Sequence, residues 1–89
     1  MNKQVIIKGF TFKGSFPVSF SFDKKPGVYI VANNKNKIAD IGETENLKER
    51  ISAYRRGRGW SVWYCNEENQ KMRQRIKKFI TEKYQMANI

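Results

Sequence analysis

Residues 26–54 read PGVYIVANNKNKIADIGETENLKERISAY, and this stretch decides the fold. Two short apolar runs, Val28 to Ala32 and Lys37 to Ile41, flank the polar segment Asn33-Asn34-Lys35-Asn36. β-Branched and aromatic residues, then turn formers, then apolar residues again predict a hairpin. The second run ends at Gly42, and a helix from about Thr44 to Tyr54 is expected to follow. Thr44 and Asn46 can each cap it, and Asn46 with Glu49 has capping-box spacing. Leu47, Ile51 and Tyr54 then fall on one helical face.

Towards the N-terminus, Gln4 to Lys8 reads as a first short strand. Phe10 and Phe12 alternate with polar residues, and after Gly14 the alternation resumes as Phe16, Val18, Phe20 and Phe22. Period two means one buried face and one wet face. Pro17 suggests an edge strand or a bend near its start. Exposed aromatics can stack bases, but phenylalanine alternating with serine reads better as core. Asp23 to Gly27 is punctuated as a turn.

Towards the C-terminus, Arg55-Arg56-Gly57-Arg58-Gly59-Trp60 forms a cationic loop. Arginine grips phosphate through a planar fork, and Trp60 either stacks on a base or pins the loop to the core. The plainer reading of the loop is a solvated run of charge. Ser61 to Cys65 reads as a further strand. Asn66 is a candidate cap for the last helix, with Glu67 and Glu68 in its first turn. Met72, Ile76, Phe79, Ile80 and Tyr84 make its apolar stripe, and Lys71, Arg73, Arg75, Lys77, Lys78 and Lys83 occupy the other faces.

With 89 residues there is room for a single domain, 1–89, and a modest core. No internal repeat or linker divides it. The net charge is +10, of which residues 1–47 carry +3 and residues 48–89 carry +7. Such a field favours polyanions, nucleic acid first with DNA ahead of RNA, and an acidic protein second. Charge that only maintains solubility is the bland alternative. The single cysteine, Cys65, rules out an internal disulfide and suits a reducing cytoplasm. The absence of histidine removes Cys–His and Ser–His catalysis and the usual zinc sites. No apolar run is long enough to span a bilayer, and the N-terminus lacks signal-peptide character.

Gly27-Val28-Tyr29, Asp40-Ile41-Gly42, Asn46-Leu47 and Arg50, in this order and spacing, resemble the signature of GIY-YIG nucleases. With the last helix included, the resemblance spans roughly two thirds of the chain. It implies an α+β fold: a small antiparallel sheet flanked by two helices, here with an extra Phe-rich N-terminal β segment. It also implies that Tyr29 activates water, that Arg50 neutralises the phosphate and that Tyr54 assists from one turn beyond. A glutamate on the last helix would hold Mg²⁺ or Mn²⁺. Two positions depart from the pattern. Asp40 replaces the tyrosine of the second motif, as in a divergent branch with Asp-Ile-Gly-Glu-Thr. The metal carboxylate, expected near residues 76–77, is missing, and Lys77 stands in its place with nothing acidic between Glu68 and Glu82. Lysine repels a divalent cation and can instead bind phosphate directly.

Asp40 and Glu43 are the candidates for a relocated metal site. The plainer reading makes Glu43 a helix-terminus charge and Asp40 a solvated strand end. The foremost functional expectation is a GIY-YIG-like nucleic-acid module with weak or lost cleavage, contacting phosphate through Arg50, Arg55, Arg56, Arg58, Trp60 and the Lys77 face. Two alternatives stand beside it. One is a phage or mobile-element protein that occupies a protein target; the other is an active Mg²⁺- or Mn²⁺-dependent nuclease with a relocated metal.

Overall fold

The computed structural model describes residues 3–7, 9–35, 37–54 and 59–87. The 26–54 stretch folds into the strand, turn, strand and helix that its pattern predicts, but the second strand runs on to Thr44 and the helix is shorter than expected, Leu47–Ser52. Strand β3 (Gly27–Ala32) pairs antiparallel with β4 (Ile38–Thr44), so that Tyr29 lies opposite Gly42 and Val31 opposite Asp40. Asn33 closes the turn: its side-chain oxygen accepts from the backbone N–H of Lys35 (2.9 Å) and of Lys37 (3.1 Å). Helix α1 (Leu47–Ser52) starts at Asn46, whose Oδ1 accepts from the N–H of Glu49. The reciprocal half of the capping box is not used, because the Asn46 N–H donates to Thr44 Oγ1 at 3.1 Å. Thr44 therefore remains the last residue of β4 and braces the cap from outside the helix.

Three more strands complete an antiparallel sheet. Strands β1 (Lys3–Ile7), β2 (Phe10–Pro17) and β5 (Ser61–Asn66) join β3 and β4 in the order β1-β2-β5-β3-β4. The Phe-rich segment thus extends the sheet through β5. Pro17 is not on an edge strand, since β2 lies between β1 and β5. It is tolerated as the last residue of the strand, opposite Ser61. The alternation of Val18, Phe20 and Phe22 does not continue the strand. Phe20 donates its backbone N–H to the Pro17 carbonyl, and the chain turns there.

An irregularity in β2 explains where its phenylalanines go. From Lys13 to Phe16 is three residues, while their partners Tyr64 and Val62 are two apart, so β2 holds one extra residue. One extra residue reverses the alternation. Phe12 accordingly joins Val28, Ile30, Ile76 and Ile80 on one side of the sheet, whereas Phe16 joins Tyr29, Val31, Leu47 and Ile51 on the other.

Those two clusters place the helices on opposite faces. Helix α1 covers the Tyr29 face, and helix α2 (Gln70–Ala87) covers the Val28 face. Strand β3 is consequently buried along its whole length. Asn69, not Asn66, caps α2, its side chain accepting from the N–H of Met72 at 2.9 Å. Asn66 is still in β5, and Glu67 and Glu68 precede the helix instead of forming its first turn. Phe79, placed in the apolar stripe by its spacing, is 39% exposed. No described helix is long and apolar enough to cross a membrane.

Candidate functional site

Tyr29 projects from the middle of β3 onto the α1 face and is almost fully buried. Its ring lies edge-on to that of Tyr54, with centroids 6.3 Å apart. Tyr54 follows α1 and donates its hydroxyl to Asp40 on β4. Trp60 packs half-buried against the same cluster, 6.4 Å from the Tyr54 ring. Arg50 lies one turn before Tyr54 on the exposed side of α1. The side chains expected from the sequence as catalytic, Tyr29, Arg50 and Tyr54, are therefore neighbours, with Asp40 among them.

Both motif glycines are required by close approach. A Cβ on Gly42 would collide with the Tyr29 hydroxyl, and one on Gly27 would run into the Cys65 carbonyl and come within 2.9 Å of Leu47. Glycine at 42 lets the phenol lie flat across β4; glycine at 27 lets β3, β5 and α1 close together.

The electrostatics of the phenols follow from this packing. Burial pushes the Tyr29 pKa up; the Tyr54 hydroxyl and Arg50 pull it down, while Asp40 and Glu43 push it up further. Tyr54 is also raised, by burial first and then by its hydrogen bonds to Asp40 and Tyr29. Near neutral pH both rings are protonated, so they are donors. A phenol that is to take a proton from water needs its pKa brought down, and this environment moves Tyr29 the other way.

Arg50 borders an open groove of about 930 Å³ whose walls also carry Glu43, Glu45, Glu49, Gln70 and Arg73. Arg73 is the residue that sequence reasoning placed wrongly. The helical pattern puts it with the other cations outside the apolar stripe of α2, yet it is 2% exposed. Its Nε donates to Glu43 Oε2 at 2.8 Å, and its Nη1 to the carbonyls of Glu67 (3.1 Å) and Glu68 (2.7 Å). A signal was present: Arg73 stands three residues before Ile76 and seven before Ile80, on the helix's core face. A cation at such a position needs a partner carboxylate.

Residues 76–77 do not face the groove with charge. Ile76 is buried in the α2-side cluster, and Lys77 is exposed. Asp40 and Glu43 are three apart on β4, and their contacts lie on opposite faces of the sheet: Asp40 with Tyr54, Glu43 with Arg73. Among the described residues no group of three acidic, cysteine or histidine side chains is arranged to hold a metal ion. The donors present do not fit a divalent cation. Arg55, Arg56 and Arg58 lie outside the described residues.

Comparison with known proteins adds one short likeness. A stretch of 31 residues is 58% identical to the UvrABC system protein C of Petrotoga mobilis, covering 35% of this chain and 5% of that protein. No protein-family model and no solved structure matches the chain.

Proposed function

We propose that the protein is a GIY-YIG endonuclease-like nucleic-acid-binding domain with weak or lost phosphodiester cleavage. The observation that carries this reading is the meeting of Tyr29 and Tyr54 across Gly42, with Arg50 one helical turn away. The short match to UvrABC system protein C is compatible with such a domain. Binding is attributed to Arg50, the Lys77 face of α2, Trp60 and Arg55, Arg56 and Arg58, in a chain of net charge +10. DNA is the preferred ligand in this reading.

Two features of the site support weak or lost cleavage. The Tyr29 phenol is held in its protonated form, and the carboxylates Asp40 and Glu43 point apart, each already engaged. What remains exposed to hold a phosphate is the Arg50 guanidinium, at the rim of a groove it shares with Glu45 and Glu49.

Two assays test the reading. Affinity for a short DNA duplex, followed by fluorescence anisotropy, should fall steeply with salt. If about four phosphates are neutralised, the log–log slope should be near −3.6. Arg50→Ala should weaken binding. Supercoiled plasmid should remain intact with Mg²⁺ or Mn²⁺. Nicking that disappears in both Tyr29→Phe and Arg50→Ala would identify an active nuclease instead. Failure to bind DNA at low salt would direct the search to an acidic protein target.

A further inference from the structure

The groove beside Arg50 is the place where α2 meets the end of β4. The carboxylate that the resemblance implies near residues 76–77 is absent, and those residues do not line this groove. What α2 brings to the groove is the guanidinium of Arg73. Arg73 is fixed by Glu43 on β4 and by the carbonyls of Glu67 and Glu68 ahead of α2. Held from two sides and nearly excluded from solvent, its charge has little freedom to swing away. Glu43, one of three glutamates in the groove wall, already has a cation at 2.8 Å.

We infer that Arg73 is a built-in replacement for the divalent cation: it neutralises Glu43 and keeps a metal ion off that carboxylate. A divalent ion at Glu43 would meet a like charge at close range, where repulsion is strong and weakly screened. The chemistry available to a phosphate there is then binding by the exposed Arg50 guanidinium, independent of metal. This last point rests on the proposed nucleic-acid-binding reading; exclusion of the metal is a property of the free protein.

The experiment is a titration of the free protein with Mn²⁺, the unbound ion followed by electron paramagnetic resonance. The wild-type protein is expected to show no saturable site that depends on Glu43. Arg73→Glu, which sets a carboxylate opposite Glu43, is expected to gain one site, tighter by roughly tenfold or more. Adding Glu43→Gln should abolish it. Arg73→Gln, which removes the charge but keeps hydrogen-bonding capacity, serves if Arg73→Glu does not fold. A saturable wild-type site that Glu43→Gln removes overturns the inference. So does a folded Arg73→Glu protein, by circular dichroism, that gains no Mn²⁺ affinity. The wild-type titration decides even if no Arg73 variant folds. No nucleic acid is present, so a failure of the DNA-binding reading would appear in the anisotropy assay and leave this result unchanged.

Discussion

The Tyr29 phenol lies across Gly42, its partner in the β3–β4 ladder, in the space that any side chain at position 42 would need. Gly42→Ala should therefore destabilise the fold by about 1–3 kcal/mol, the usual cost of overpacking. It should also displace the Tyr29 ring. Urea denaturation gives the first quantity and the NMR shifts of the tyrosine ring protons the second. An alanine variant as stable as the wild type, with unmoved ring shifts, would contradict this placement.

Asp40 accepts the Tyr54 hydroxyl and contributes to keeping that phenol protonated. Asp40→Asn removes the carboxylate charge while leaving an acceptor. The Tyr54 pKa is expected to fall, although burial, the larger cause, keeps it above the ordinary value. Urea midpoints at increasing alkaline pH, compared between wild type, Asp40→Asn and Tyr54→Phe, read the change as a weaker dependence of stability on pH. A pH dependence unaltered by Asp40→Asn would mean that Asp40 does not govern Tyr54.

Alkali should unfold the protein through groups that the fold keeps protonated. Burial pushes the Cys65 thiol from 9.0 up to about 11, and burial also raises Tyr29, Tyr54 and Tyr64. Above the unfolded pKa the unfolded chain has lost its proton while the folded chain retains it, so stability falls as pH rises. The Cys65 contribution is complete below about pH 9 and is lost as pH rises through about 11, about 2–3 kcal/mol in all. Urea midpoints at increasing pH should show this decline. Cys65→Ala should flatten its lower part, below the range where the tyrosines take over.

The Arg73–Glu43 pair should be unequal under substitution. Arg73→Ala leaves Glu43 and two carbonyls at the start of α2 without their donor, and should cost about 3–5 kcal/mol. Glu43 is 20% exposed and can turn to water, so Glu43→Gln should cost less, about 1–2 kcal/mol. A double-mutant cycle in urea reads the coupling between them. Additive effects would show that the pair does not act as a unit.

Phe12 is fully buried against Val28, Ile30, Ile76 and Ile80, on the face that α2 covers. Phe12→Ala should cost about 3–5 kcal/mol. Phe20, 42% exposed at the turn after β2, should lose much less on the same change. Equal losses at the two positions would contradict their unequal burial.

The hairpin, the Asn46 cap and the helix after it were legible because each depends on residues close together in the chain. Turn formers sit between two apolar runs, a cap stands three residues before its acceptor's partner, and Leu47 and Ile51 recur at the helical period. These local preferences agreed with the final packing. The GIY-YIG-like spacing of Gly27, Tyr29, Gly42 and Arg50 was legible for the same reason: the ladder and one helical turn carry that spacing directly into space.

Contacts between segments distant in sequence were decided only by the tertiary structure. The extra residue in β2 reverses which face Phe16 occupies, and nothing in an alternating pattern marks a bulge. Arg73 looked like one more cation on a basic helix, because the partner that makes its burial tolerable, Glu43, lies thirty residues away on β4. Asp40 read as a solvated strand end until the turn after α1 brought Tyr54 back over it. The sequence by itself determined the elements and the motif spacing, since those are local; the folded chain decided which charges are neutralised and which phenols stay protonated, since burial and ion pairing exist only once distant segments meet.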